Sequence, residues 1–357
     1  MSKKPLILGI ESSCDETAAS LITENEQGIP IVLSSIVSSQ EDVHKEFGGV
    51  VPELAARSHI EKIDLIVQKA IKKSGKSIDD IDAVASTAGP GLIVCLSVGL
   101  SFGKAFACAI KKPFIAINHL EGHALSPKIN SDINYPYLLL LISGGHSQFL
   151  IVKGLGNYKR LGTTIDDALG EAFDKTAKLL GIDFPGGPQI EILAEKGNPN
   201  KYDLPKPIFN KGGCNLSFAG LKTAILKISK KIKTKQEKFD LAASFQQKII
   251  EILFKKTKIA FSEFEKQIKP KEKKFVVAGG VAANKEIRKM LTNLCKKEKY
   301  EPIFPPLNLC GDNAAMIAMV GLEKFKLKKF NNLDFPAKPR WPLDEEAAFL
   351  KGAGVKL

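Results

Sequence analysis

Three observations on the sequence predict an α/β protein with two related halves. Short apolar segments typical of strands alternate with segments of helical periodicity along the 357 residues, a length that suits two domains. The pattern strand–polar turn–strand occurs twice, as ILGIESSCDETAASLI from Ile7 and as LLLLISGGHSQFLIV from Leu138. Three of the apolar strands end at a short turn rich in glycine or serine.

The first half begins with strands and continues with helices and strands in alternation. Strands are predicted over residues 6–10, 17–22, 31–37, 83–87 and 114–117. Apolar residues at helical spacing predict a helix over residues 51–73, with Pro52 near its start, where proline is tolerated. Residues 92–110 are mostly apolar and predict a buried helix, and a further helix begins at His119.

The second half repeats this order. Strands are predicted over residues 137–142, 147–152 and 275–278, and helices over residues 168–180 and 240–264. A last helix begins near Asn313, and the proline-rich residues 336–342 predict irregular structure.

Composition limits the classes of function. Lys and Arg outnumber Asp and Glu by 52 to 39, which gives a formal net charge of +13. This excess suits a polyanionic partner, but only four of the 52 are arginine, so a general bias toward lysine explains it equally well. No apolar run reaches the ~20 residues of a membrane span. The N-terminus does not resemble a secretory signal, and the six scattered cysteines form no C-x-x-C pair, which predicts a cytoplasmic protein.

His119 and His123 are the sharpest chemical feature. Four residues apart on a helix, they share one face, with Cβ atoms about 5–6 Å apart, and can ligate one metal ion. The motif HLEGH differs from the H-E-x-x-H of zinc peptidases, because Leu120 stands where the general-base glutamate should be. Glu121 lies roughly 200° around the helix from His119.

Acidic residues follow the first strand and precede the last helix. Glu11, Asp15 and Glu16 can hold a proton or orient a metal-bound water, but the residues alone favour a turn whose Asp makes local hydrogen bonds. Asp312 is placed to cap the helix near Asn313. The glycine-rich strand ends favour a nucleotide held between two lobes, since glycine lets backbone N–H groups approach phosphate. Neither a P-loop nor a G-x-G-x-x-G motif occurs.

Eight blocks occur in order between Leu6 and Leu343. They are GIESSCDET from Gly9, HKEFGGVVPELAARSH from His44, NHLEGH from Asn118, LISGGHSQ from Leu141, GEAFDKTAKLLG from Gly170 with PGGP from Pro185, NLSFAGLKTA from Asn215, AGGVAAN from Ala278 and CGDNAAMIA from Cys310. Together they resemble the TsaD family, the tRNA threonylcarbamoyladenosine transferases once called glycoprotease-like proteins. Ile142 stands where archaeal and eukaryotic members have Tyr, which indicates the bacterial branch.

The resemblance implies a two-lobed actin/hexokinase/Hsp70-like (ASKHA) fold with duplicated α/β subdomains. The first lobe would comprise residues 1–128, completed by residues 310–357, and the second lobe residues 129–309.

The resemblance also implies a reaction. The threonylcarbamoyl group of threonylcarbamoyl-AMP would be transferred to N6 of adenosine 37 in tRNAs that read ANN codons. By resemblance, His119, His123 and Asp312 bind one divalent metal ion per subunit, with iron favoured and zinc the alternative. Asp15 would act as general base or orient the N6 amine, with Glu16 as a second catalytic residue.

The positions that match those holding the adenylate in the family lie mostly in the second lobe. They are Leu141, Ile142, Ser143, Gly144, Gly145, Asp174, Gly187, Glu191 and Asn284, with Glu191 standing where many bacterial members have Asp. The implied partners are tRNA, a TsaB-like paralogue that forms a heterodimer with the chain, and a TsaE-like ATPase, with no membrane involved. Two alternatives remain at this point: a metallopeptidase, and an ATPase of the Hsp70 class that would not need His119 and His123.

Overall fold

The computed structural model describes residues 4–348, which divide into two compact units. The first unit comprises residues 4–134 and Pro305–Glu345, and the second comprises Tyr135–Phe304 with residues 346–348. The predicted first lobe extends to residues 1–3 and 349–357, which lie outside the described residues.

Each unit contains one five-stranded sheet. The strands are β1 (Ile7–Glu11), β2 (Glu16–Glu24), β3 (Pro30–Ser39), β4 (Ala83–Gly89), β5 (Phe114–Asn118), β6 (Tyr137–Ile142), β7 (Ser147–Gly154), β8 (Asn157–Thr163), β9 (Lys274–Ala278) and β10 (Glu301–Ile303). The helices are α1 (Glu41–His44), α2 (Pro52–Ser74), α3 (Ile93–Ala109), α4 (His119–Leu125), α5 (Leu169–Leu179), α6 (Gly186–Ala194), α7 (Ala219–Ser229), α8 (Lys235–Ile268), α9 (Lys285–Glu298) and α10 (Ala314–Lys326).

The two sheets share one plan. In the first, the order is β3-β2-β1-β4-β5, with β1, β2 and β3 antiparallel and β4 and β5 parallel to β1. In the second, the order is β10-β9-β6-β7-β8, with β6, β7 and β8 antiparallel and β9 and β10 parallel to β6. Short turns allow the antiparallel pairs, whereas the parallel strands need helical crossovers. The predicted α/β fold with related halves is confirmed.

Helix α10 lies close against β1 in the first unit. A Cβ atom on Gly9 would stand 2.4 Å from the Ala314 oxygen and 2.6 Å from the Ala318 nitrogen, so only glycine allows this approach. Residues 314–320 of α10 are all buried. The helix that follows Asp312 is therefore fixed directly on the strand that ends at Glu11.

The prediction that residues 92–110 form a fully buried helix is wrong for one face. Helix α3 buries Leu96, Gly99 and Leu100, but Ile93 and Val94 are 47% and 43% exposed. The apolar composition hid the division between the buried and the exposed face of α3, because the exposed face carries small and apolar residues in place of charged ones.

Several elements were not predicted from the sequence. They are β8, β10, α1, α6, α7 and α9. β8 and β10 are edge strands, and β8 carries Lys159 and Arg160, which hide the apolar alternation. In α9, charged residues surround a narrow apolar stripe of Ile287, Leu291 and Leu294. None of the helices within residues 4–348 is long and apolar enough to cross a membrane.

Candidate metal centre and acidic turn

Helix α4 begins directly after β5 and carries the two histidines. The Asn118 side-chain oxygen caps the helix by accepting the Leu120 N–H at 2.9 Å, and its amide nitrogen donates to the Trp341 carbonyl at 2.9 Å. His119 is thus the first helical residue and His123 lies one turn on, both buried, with ring centroids 4.8 Å apart. The spacing argument from the sequence is confirmed for the shared helix face.

Asp312 does not cap α10, so that interpretation of the sequence is wrong. The cap is Asn313, whose side-chain oxygen accepts the Met316 N–H at 3.0 Å. The Asp312 carboxylate is therefore available elsewhere, and its Oδ1 lies 3.0 Å from His123 Nε2 and 3.5 Å from His119 Nε2. The chain brings together two side chains of one helix and a third that is 189 residues away from His123.

His119, His123 and Asp312 offer a donor set that fits a divalent metal ion. One ligand atom from each lies within 4.8 Å of the others, and tetrahedral ligands at the usual 2.0–2.2 Å from a metal would be about 3.4 Å apart. His123 Nδ1 is buried and finds no hydrogen-bond partner within residues 4–348. Two imidazoles and one carboxylate leave further coordination positions open, as in non-haem iron sites.

Glu11 orients His119. Its carboxylate lies 3.0 Å from His119 Nδ1 and accepts the Ser13 N–H at 2.5 Å and the Thr87 hydroxyl at 2.6 Å. When Nδ1 carries the proton and donates to Glu11, Nε2 is the nitrogen that faces Asp312.

The buried side chains of His119, Asp312 and Glu11 shift one another's pKa through their charges. Burial would lower the pKa of His119, but the carboxylates of Asp312 and Glu11 outweigh burial and raise it well above the usual range. For Asp312, burial would raise the pKa, yet His119 and His123 bring it well below the usual range. Without a cation, these carboxylates thus favour a protonated His119, and a metal ion would take the place of that proton.

The acidic turn between β1 and β2 belongs to the same cluster of charges. Asp15 is buried, and burial, followed by the charges of Asp312 and Asp15, raises the pKa of Glu16 well above its usual range. Burial and the Asp15 charge likewise raise the pKa of Cys14, so its thiol stays protonated and is a poor nucleophile. The structure therefore places Glu16 within electrostatic reach of Asp312, with Asp15 beside Glu16.

A buried hydrogen-bond network holds the backbone of the turn, and sequence patterns did not connect its members. His59 Nε2 donates to the Cys14 carbonyl at 2.9 Å, and Gln40 Nε2 donates to His59 Nδ1 at 3.2 Å. Thr17 Oγ1 lies 2.7 Å from the same Nδ1, and Gln40 Oε1 lies 3.3 Å from His44 Nε2. The only signal in the sequence is that His44 and His59 are the first and last residues of one of the eight blocks.

Glu121 faces away from the candidate ligands. Its buried carboxylate lies 3.1 Å from Nζ of the half-buried Lys324, and this ion pair joins α4 to α10. Since Glu121 holds a lysine on the opposite side of the helix, it is not placed as the general base that a metallopeptidase requires.

The remaining predicted site residues lie in the second unit, where the strand ends meet. Leu141 and Ile142 are fully buried within β6, so only their backbone groups could face a ligand, whereas Gly144 and Gly145 are exposed. A Cβ atom on either glycine would meet no atom within 4 Å, which leaves open space above this backbone. Ser143 closes the turn, with its N–H donating to the His146 carbonyl at 2.8 Å.

Asp174, Glu191 and Asn284 are each held by hydrogen bonds within this unit. The Asp174 carboxylate accepts the Gly186 N–H at 2.8 Å, next to Gly187, where a Cβ would again meet open space. The Glu191 carboxylate accepts the Lys285 N–H at 2.6 Å. Asn284, the neighbour of Lys285, caps α9 through the Ile287 N–H and donates to the Gln246 side chain at 2.9 Å.

Comparisons with known proteins agree on one family. The model of the family "TsaD: tRNA N6-adenosine threonylcarbamoyltransferase" matches residues 31–319. A tRNA N6-adenosine threonylcarbamoyltransferase from Pelagibacter ubique is 80% identical over all of both chains. One of the same name from Rickettsia rickettsii is 53% identical over 95% of this chain and 98% of its own.

Among solved structures, HypF from T. kodakarensis is similar in fold. It superimposes with a TM-score of 0.57 at 14% identity, over 91% of this chain and 48% of HypF. This likeness bears on the fold alone and agrees with the expected ASKHA-type architecture.

Proposed function

Because the chain belongs to the TsaD family of tRNA N6-adenosine threonylcarbamoyltransferases, we propose that its first unit holds the metal and acid groups of this transfer and its second unit holds the donor nucleotide. The observation that carries the proposal is the convergence of His119, His123 and Asp312, with Glu11 behind His119. In this proposal the lobes correspond to residues 1–128 with 310–357 and residues 129–309.

We propose one divalent metal ion on His119, His123 and Asp312, with iron favoured over zinc. Two histidines and one carboxylate with open positions are the donor set of non-haem iron sites, and the same three groups also suit zinc. The chemistry that such an ion supplies when bound is polarisation and placement of the threonylcarbamoyl carbonyl. Glu11 keeps His119 in the tautomer that ligation needs.

The donor would be threonylcarbamoyl-AMP. The backbone N–H groups of Gly144 and Gly145 would hold its phosphate, because no side chain fills the space above these two glycines. Leu141, Ile142 and Ser143 would hold this turn in position through their own backbone pairing. Asp174, Gly187, Glu191 and Asn284 would surround the nucleoside. Hydrogen bonds to Gly186, Lys285 and Gln246 hold the three side chains in place within the second unit.

The acceptor would be N6 of adenosine 37 in tRNAs that read ANN codons. The N6 amine forms a bond to the carbonyl carbon of the threonylcarbamoyl group, the bond from that carbon to the AMP oxygen breaks, and Asp15 accepts the proton that N6 releases. Glu16, whose pKa is raised by burial, keeps its proton and donates a hydrogen bond to Asp15. Because an exocyclic amine is a weak nucleophile, positioning would supply most of the rate.

Further chains would assist the enzyme in the cytoplasm. We propose a heterodimer with a TsaB-like paralogue and a dependence on a TsaE-like ATPase. The exposed Ile93 and Val94 at the start of α3 support a contact with another chain, since grouped apolar residues on a surface commonly mark interfaces.

The decisive experiment supplies the chain and these partners with unmodified tRNA and threonylcarbamoyl-AMP, followed by mass analysis of the nucleosides. Wild type should form threonylcarbamoyladenosine, and Asp15→Ala should lower the yield at least a hundredfold while metal content and fold are retained. The proposal is wrong if wild type forms none under conditions where a TsaD relative does. Near-normal transfer by Asp15→Ala would contradict the role of Asp15 alone.

A further inference from the structure

Residues 222–238 form a long lysine-rich surface of the second unit. They contain seven lysines and one glutamate, and every one of the seven lysines is exposed. They occupy the later turns of α7, the connection and the first turn of α8, and we call them the α7–α8 lysine cluster.

The lysines of the cluster have no acidic partners among the described residues. Elsewhere, lysines such as Lys128, Lys175 and Lys326 pair with carboxylates at 3.0 Å or less. Over the described residues 4–348, no ion pair includes a lysine of the cluster. Its single acid, Glu237, accepts the N–H groups of Lys233 and Thr234 at 2.8 and 2.9 Å as part of the cap of α8.

The scaffold under the cluster is ordered. The Asp166 carboxylate caps the start of α7 by accepting the Phe218 N–H at 2.7 Å. Leu221 and Ile225 anchor the helix, since both side chains are fully buried in the core. A Thr234 capping box starts α8. The lysines are therefore presented from two fixed helix ends, which lowers the conformational entropy that a ligand must remove.

The chemistry of the cluster favours a polyphosphate chain over a membrane. A helix that lies on a membrane exposes a wide apolar face beside its lysines. In α7, Leu221 and Ile225 are buried in the core and Leu226 is the one exposed large apolar residue, which is too little for such a face. Lys196 extends the positive field, since its Nζ and that of Lys235 both lie 5.8 Å from the centre of the Phe239 ring. Flexible ammonium groups suit phosphates without reading bases.

We propose that the α7–α8 lysine cluster binds the phosphate backbone of tRNA. This inference rests on the proposed function for the identity of the polyanion. The cluster positions the tRNA and does not take part in the transfer step.

A triple variant tests the proposal: Lys227→Gln, Lys230→Gln and Lys231→Gln together. Its control is Lys266→Gln, Lys271→Gln and Lys296→Gln, which removes equal charge from exposed positions away from the cluster; Lys266 lies at the other end of α8, about 45 Å from Lys235. Each protein is titrated with unmodified tRNA from 50 to 300 mM salt. The cluster variant should bind about 10- to 100-fold more weakly near 150 mM salt, with a salt slope smaller by about 2–3. The control should match wild type.

Transfer assays separate this inference from the proposed function. The cluster variant should show a raised KM for tRNA and an unchanged kcat. If wild type transfers normally but the cluster variant binds tRNA with the same affinity and the same salt slope as the control variant, the cluster proposal is wrong. If wild type binds tRNA through the cluster but transfers nothing, the proposed function fails and the cluster stands. The membrane alternative is tested with phosphatidylserine vesicles. If the cluster variant loses the vesicle binding of wild type but binds tRNA as wild type does, the cluster binds a membrane and the proposal is overturned.

Discussion

Glu11 shows how a buried carboxylate that is not itself a candidate metal ligand can orient one that is. The sequence marks it only as one of three acids in a turn, because its partner His119 lies 108 residues away. In the structure it fixes one imidazole nitrogen and leaves the other directed toward Asp312. Long-range pairs of this kind set the tautomer of a histidine and cannot be read from local spacing.

Glu11→Gln should weaken metal binding about 10- to 100-fold while leaving all three candidate ligands in place. The amide removes the charge that holds His119 and can donate where the carboxylate accepts. Competition against a chromogenic chelator measures the affinity. Glu121→Gln is the matched control, because it removes a buried acid from the other face of the same helix. An affinity in Glu11→Gln equal to that of wild type would contradict the orienting role.

His59 should make stability depend on pH. Burial lowers its pKa below the usual 6.5, and its Nδ1 accepts a hydrogen bond from Gln40, so the folded protein favours neutral His59. As pH falls below about 6.5, the unfolded chain takes up a proton that the folded chain resists, and the free energy of unfolding decreases.

The comparison variant is His59→Gln, whose amide can still donate to the Cys14 carbonyl. Urea unfolding midpoints at pH 7.5, 6.5 and 5.5 should show wild type losing more stability than the variant toward low pH. Equal losses in both proteins would mean that His59 is not the group responsible.

At the scale of elements, the periodic segments were predictable and the contacts between them were not. Strands such as β6 and helices such as α2 follow from apolar spacing alone. The cap of α10 was assigned to the wrong residue, because Asp312 and Asn313 are both good caps and only the packed structure selects Asn313. The approach of α10 to β1 is equally invisible in the sequence, where Gly9 is one glycine of 29.

Gly9→Ala should destabilise the protein by about 1–3 kcal/mol, because its new methyl group would overlap the backbone of α10. Since α10 directly follows Asp312, metal affinity should fall as well. Gly154→Ala is the control, with no atom within 4 Å of its added Cβ. Urea unfolding and chelator competition measure the two effects, and a Gly9→Ala protein as stable as the Gly154→Ala protein would refute the close-packing argument.

At the scale of the molecule, the sequence predicted two related halves because each strand–turn–strand unit is local. The described chain repeats one sheet plan in two units, and all three candidate metal ligands belong to the first. Local patterns could not show that a late segment completes the first unit. Only the family resemblance implied it, and in the structure Pro305–Glu345 belongs to the same unit as residues 4–134. The roles of the residues in the second unit stay predictions.

Metal removal should therefore destabilise the first unit selectively. A ligand present at 100 times its dissociation constant stabilises the folded form by about 2.7 kcal/mol, and that contribution disappears on chelation. Trp341, the sole tryptophan, lies in this unit and accepts a hydrogen bond from the residue that caps α4, so its fluorescence reports unfolding beside the ligands. Chelation should lower the midpoint of this signal and added metal should restore it, while His123→Ala should respond to neither.

Because β6 and β9 carry no ligand, hydrogen exchange of their amides should change less than that of β1 and β5. Equal changes in all four strands would contradict a site confined to the first unit.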